Sequence, residues 1–229
     1  MEGALSVIAL IAVVVSAGAI TVSAHFRKER AAELRGWARE HGWDYTEHHP
    51  RPLEDTTLPR AVQGRNLRAQ HVITGHRGPH LVTAFEATHT TAPAARRATG
   101  QVRHTYRIVA VRTPAPGADL EFRRRNLAHT VSSGNPGSPE ETDRAFADAF
   151  HTVSDDDHFT RAILGHDTAL WMLSDPRSRA FPVRFSGGHV LTWASMGLDP
   201  DRAMTAADYL IDLLDRIPTH AWERNATGP

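Results

Sequence analysis

Fifteen histidines and no cysteine define what side-chain chemistry this chain can offer. His48-His49, His71, His76, His80 and His104 fall in one third of the sequence. They are candidates to gather at one end of a sheet. Zinc is held by imidazole with Asp or Glu nearby, so a histidine-dependent metal enzyme of the hydrolase type is one reading to test. The spacing argues against it. H-E-x-x-H does not occur, and His76 and His80 flank a turn cluster, where no regular spacing converges them. Without cysteine there is no disulfide framework, no thiolate site and no cysteine nucleophile. No G-x-G-x-x-G, Walker or G-x-S-x-G pattern is present, so neither a phosphate-binding loop nor a hydrolase elbow is indicated. Asp155-Asp156-Asp157 lacks the spacing and glycine of a calcium loop and suits a helix start instead. The five tryptophans, Trp37, Trp43, Trp171, Trp193 and Trp222, read as core or interfacial anchors. We assign no catalytic, cofactor-binding or metal-ligating residue, and no cofactor is implied.

The elements that carry these residues begin with an apolar run. From Gly3 to Phe26 there is no Asp, Glu, Lys or Arg. As a helix, Ala4 to Ala24 spans about 31 Å, close to the hydrocarbon thickness of a bilayer. A cleaved signal would carry a basic start and a shorter run; here only Glu2 precedes it, and Arg27, Lys28, Arg30 and Arg35 follow it. The excess of basic residues on the far side places that side in the cytoplasm. The expectation is a single-pass protein of the inner (plasma) membrane with its C-terminal domain cytoplasmic. Ala12 and Ser16 place two small residues on one face, so a second copy or another protein is a candidate partner within the bilayer.

The expected organisation is a transmembrane anchor over residues 1–26, a juxtamembrane helix over 27–42, an α+β globular domain over 43–218 and a loose tail over 219–229. Leu34, Trp37, Ala38 and His41 form the apolar stripe of the juxtamembrane helix, with Gly42 as its stop. Trp43–Thr46 alternates as a short strand. Leu67, Ala69, His71 and Ile73 alternate, as do Leu81, Thr83, Phe85 and Ala87, predicting a hairpin across the turn cluster Thr74–Pro79. Val102–Arg112 is the strongest strand, ended by "TPAPG", with Leu120 and Phe122 in a short strand beyond it. Residues 123–143, rich in Gly, Pro, Ser and charge, read as a mobile loop. A strand is expected over Phe146–Val153, then a helix from the Asp155–Asp157 run, broken at Gly165 and burying Phe159, Ile163, Leu170 and Leu173. "FPVRFSGGHVLTW" reads as a hairpin turning at Gly187-Gly188. Asp199-Pro200 starts a last helix, with Ala203, Ala207, Leu210, Ile211, Leu214 and Ile217 on its apolar face and Pro218 as its stop. Hairpins with segregated helices predict an antiparallel α+β fold, and the missing βαβ alternation excludes a parallel nucleotide-binding sheet.

Charge is neutral overall, with 26 basic against 26 acidic residues, which argues against nucleic acid as partner. It is unevenly spread: residues 51–125 hold 13 arginines against 5 acidic residues, and 126–229 hold 8 against 15. One reading is mutual neutralisation across the fold. The other is an anionic-lipid surface module beside the anchor, using arginines such as Arg96-Arg97 and Arg123-Arg124-Arg125. "LRGWAREHGWDY", "TGHRGPHLVTAFE", "YRIVAVRTPAP", "RFSGGHVLTW" and "LDPDRAMTAADYLIDLLDRIP", following an N-terminal span, give the chain an order that resembles small actinobacterial membrane-anchored proteins of unknown function. The resemblance implies an anchor plus an α+β domain and carries no site residues. The reading for function is a membrane-anchored cytoplasmic module that binds or scaffolds and is not catalytic.

Overall fold

The computed structural model describes residues 25–91, 101–125 and 138–223. The expected span, residues 4–24, lies outside the described residues. Among the described residues no helix is long and apolar enough to cross a membrane.

Helix α1 occupies residues 25–40. It ends where Gly42 takes φ +70° and the Trp43 N–H reaches back to the Ala38 carbonyl at 2.7 Å, a glycine-based helix stop. Ala31, Leu34 and Ala38 are buried, Trp37 is half-buried and His41 is exposed. The stripe is therefore one residue shorter than the sequence predicts. Six strands follow in one antiparallel sheet: β1 (Asp44–His49), β2 (Arg65–Arg77), β3 (His80–Thr91), β4 (Val102–Arg124), β5 (Phe150–Ser154) and β6 (Val183–Ala194). The helices are α2 (Pro139–Ala149), α3 (Asp157–Ile163), α4 (His166–Ser174), α5 (Pro200–Leu214) and α6 (His220–Glu223). The order along the sheet is β1-β2-β3-β4, with β6 along one edge of β4, and β3 then β5 along the other. The α+β expectation, with helices segregated from an antiparallel sheet, holds.

The helices pack on one face over Val82, Ala84, Val109, Val111, Leu120 and Phe122. The other face holds a smaller core in which Leu53 and Val62, from the irregular segment between β1 and β2, cover Phe85, Ile108 and Leu191. α5 forms as its sequence dictates: Asp199 accepts the Arg202 N–H at 3.1 Å and Pro200 sits in the first turn. α3 starts on Asp156, whose carboxylate accepts the N–H groups of His158 and Phe159. Those two hydrogen bonds hold its pKa below the usual carboxylate value. Gly165 does break this region, but α4 restarts there in a new phase. Ala169 and Met172 are buried, while Leu170 and Leu173 are only half-buried.

Seven expectations are corrected. The turn between β2 and β3 is confined to Gly78-Pro79, with Gly78 at φ +59°; Thr74, Gly75 and His76 remain in the ladder. Strict alternation in β2 fails because the register shifts between Gln70 and Ile73, with His71 at φ +52°. This bulge puts Val72 in the smaller core beside Ala69, and Ile73 on the helix face. "TPAPG" does not end the third strand. β4 runs 23 residues through Pro114 and Pro116, and the prolines fall where its register against β6 shifts between Arg112 and Gly117, a bulge in which no ladder donor is needed. Gly187-Gly188 does not reverse the chain. β6 is one strand, with Val190 opposite Val111 and Phe185 opposite Leu120. Gly187 uses its φ of +56° for a bulge opposite Gly117. The supposed loop over 123–143 loses both its ends: β4 reaches Arg124, Arg125 donates to the Ala149 carbonyl, and Ser138 caps α2 by accepting the Glu141 N–H at 3.2 Å. The middle of that loop, 126–137, lies outside the described residues. α2 also takes Phe146–Ala149 from the expected strand, which starts at Phe150. The tail is not loose as far as Glu223: α6 buries Ala221 and Trp222, the latter against Phe159 and Phe185.

Candidate functional site

The helix-facing side of the sheet is apolar only where helices cover it. Along β3 that face reads Val82, Ala84, then Glu86, Thr88 and Thr90. Along β4 it reads Val111, Val109, then Arg107 and Arg103, from the cross-strand register. The change to polar residues marks where the cover stops. Beneath the first turns of α1 this leaves a groove made of two adjoining cavities of about 690 and 390 Å³. Arg27, Gln70 and Arg103 line both. Lys28, Arg30, Glu47 and Glu86 line the larger and Arg68 the smaller, so cations outnumber carboxylates.

The groove has a fixed wall. Glu86 accepts the N–H of buried Leu198 at 2.8 Å, while the Arg30 guanidinium donates to the Leu198 carbonyl. The backbone of one residue, Leu198, thus joins α1, β3 and the approach to α5. Tyr45 and His71 meet at 2.8 Å between the phenol oxygen and Nδ1, and Arg35 lies 5.1 Å above the Tyr45 ring. Burial raises the Tyr45 pKa, with Glu47 adding to the effect. Burial lowers that of His71, against the pull of Glu86 and Glu47. Both side chains are therefore uncharged at neutral pH. By contrast, neither Arg68 nor Arg103 has a carboxylate partner among the described residues; Arg103 reaches only the Gln70 carbonyl at 3.4 Å.

His189 is also pushed down by burial, then by Arg112. The folded state resists protonating His71 and His189, whereas the unfolded chain takes up both protons near the ordinary value of 6.5. Stability is therefore expected to be level above about pH 7 and to fall as pH drops below 6.5. Urea midpoints at pH 5.0 and 7.5 measure this. His71→Asn, which tolerates the left-handed backbone, should reduce the difference between the two midpoints.

The histidines do not converge. His71 is engaged by Tyr45, His104 contacts Thr91 at 2.9 Å and stacks on His89 with ring centroids 5.0 Å apart, and His80 lies 3.4 Å from Asp215. His49 accepts the Arg51 N–H, and only His48 and His71 reach the larger cavity. Among the described residues no three His, Asp or Glu side chains could hold one metal ion. Charge neutralisation across the two halves is real but incomplete. Arg77 pairs with Asp208 at 2.6 Å, whereas Arg184, from the acidic half, pairs with Asp119 and Glu121 of the basic half and so uses up two of its few carboxylates. Arg68, Arg103 and the arginines ending β4 stay outside such pairs among the described residues. Sequence reasoning missed Glu86, Gln70 and Tyr45. The signal was present for Glu86: a carboxylate that follows Val82 and Ala84 on one face of β3 and marks where that face turns polar.

Fold and groove together define a two-layer α+β domain with a basic recess at the foot of its first helix. No protein-family model matches the chain, and no curated protein matches it in sequence. A solved structure similar in fold is that of the mycobacterial trehalose monomycolate transport factor A, TtfA. It has a TM-score of 0.53 and 13% sequence identity, and the match covers 82% of this chain and 96% of that one.

Proposed function

We propose that the chain is a membrane-anchored accessory module, not an enzyme, that binds anionic lipid head groups at the foot of α1. Residues 4–24 span the plasma membrane in this reading, and the domain lies on its cytoplasmic side. The carrying observation is the groove: it opens beside Arg27, Lys28 and Arg30, adjacent to the expected span, and its Arg68 and Arg103 lack carboxylate partners among the described residues. A likeness of fold to a protein named as a transport factor is consistent with an accessory role. A zero net charge speaks against nucleic acid.

Two measurements test the reading. Fluorescent-protein and alkaline phosphatase fusions to the C-terminus report sidedness: fluorescence is expected, and phosphatase activity outside the cytoplasm overturns the topology. For the groove, the full-length chain in detergent is titrated with a short-chain phosphatidylglycerol and followed by tryptophan fluorescence. At about 1 kcal/mol per basic residue, the double variant Arg68→Gln, Arg103→Gln is expected to bind about 30-fold more weakly. Equal binding of the matching phosphatidylcholine, or no loss in the variant, rules the head-group reading out.

A further inference from the structure

A second basic cleft lies at the far end of β4. Arg123 and Arg124 close that strand, Arg125 follows it, and Arg179 closes the short 3-10 turn Pro176–Arg179. With His151 and Ser178 they line a cavity of about 490 Å³ that no carboxylate lines among the described residues. Arg123 stands opposite His151 in the β4–β5 ladder. Arg124 is held on one side, donating from Nη1 to Ser178 Oγ at 2.9 Å and to the Leu173 carbonyl at 3.4 Å, with its guanidinium 5.5 Å from the Phe150 ring centre. Arg125 donates from Nε to the Phe150 carbonyl at 3.2 Å. These bonds orient two guanidinium groups and leave Nη2 of Arg124 and both terminal nitrogens of Arg125 without an acceptor among the described residues.

None of the four arginines forms an ion pair among the described residues. Burial lowers the Arg124 pKa, and the next contribution is the like charge of Arg179; no carboxylate offsets either. Nor does the adjoining sequence supply one, since no Asp or Glu occurs between Glu121 and Glu140. Like charges fixed in one recess repel one another, and an anion from outside the chain relieves that repulsion.

We propose that this cleft binds the dianionic phosphate of a phosphate monoester. Guanidinium forks match phosphate oxygens bidentately. A phosphate monoester brings nearly two charges and three terminal oxygens, enough for several forks, where a carboxylate serves one. The volume falls within the range of small-ligand sites, leaving room for the esterified group. The site is independent of the groove at α1. The two share no lining residue: the groove takes Arg103 from the start of β4, and the cleft takes Arg123 and Arg124 from its end.

The test is calorimetric titration of the full-length chain in detergent at low salt with phenyl phosphate and, separately, benzoate. Phenyl phosphate is expected to bind at least about tenfold more tightly than benzoate. The variant Arg125→Gln, Arg179→Gln, which changes two exposed side chains, is expected to weaken phenyl phosphate by about tenfold or more, with its ligand-free thermal midpoint unchanged. Micelles carrying phosphatidic acid form a second arm. Loss with phenyl phosphate alone assigns the site to soluble monoesters, and loss in both arms admits a lipid head group as well; either supports phosphate recognition. Equal affinity of the wild type and the variant for phenyl phosphate overturns it.

Discussion

Gly187→Ala is expected to lower the folding free energy by about 3–5 kcal/mol, the left-handed backbone and the steric overlap adding together. Gly187 sits at φ +56° at the β6 bulge, and a Cβ there would overlap the carbonyl oxygen of Asp55. That segment has little freedom to retreat. The Thr57 N–H donates to Ser186 Oγ at 3.0 Å, Arg184 Nε donates to the Thr57 carbonyl at 3.0 Å, and Thr56 Oγ1 contacts His189 Nδ1 at 2.9 Å. Gly188 is the internal control: nothing lies within 4 Å of its added Cβ and its φ is not positive, so Gly188→Ala should change stability by less than about 1 kcal/mol. Urea midpoints of the two variants decide the matter. Were Gly187-Gly188 a type I′ hairpin turn, both residues would need positive φ and the two substitutions would cost similar amounts.

Removing the Trp222 side chain is the second large effect. Trp222 is 4% exposed and packs edge-on to Phe159 and at a tilt to Phe185, with ring centroids 6.0 and 6.1 Å away. Trp222→Ala should cost about 3–5 kcal/mol, the usual range for deleting a buried aromatic. The loss should appear in the denaturant midpoint together with a weaker near-ultraviolet dichroism of the aromatic cluster. A cost below 1 kcal/mol would mean that the tail does not dock.

Much of the architecture was legible because local rules dominate there. Asp199-Pro200, the aspartate run before α3, Gly42 and Gly165 each mark a helix end by backbone hydrogen bonding that neighbouring residues decide. What escaped was decided at a distance. The glycine pair reads as a hairpin turn, yet whether such a place makes a turn or a bulge depends on the strand opposite. β4 supplies a matching irregularity at Arg112–Gly117. The prolines at 114 and 116 look like a stop until that same bulge removes the need for their missing N–H groups. α2 was hidden because Pro139, Glu140 and Glu141 resemble loop composition, although Ser138 with Glu141 is a helix-capping pair. At the site, abundance of histidine drew attention from Glu86, whose hydrogen-bond partner, the N–H of buried Leu198, lies 112 residues away in the chain.

Helix α1 is seated on the domain through Ala31, Leu34 and Ala38, and is clasped at Arg30 through the Leu198 peptide. It behaves as a bracket welded to the body and gives no swivel between residues 30 and 42. The axis of α1, as far as His25, is therefore set by its seat on the sheet and built into the fold.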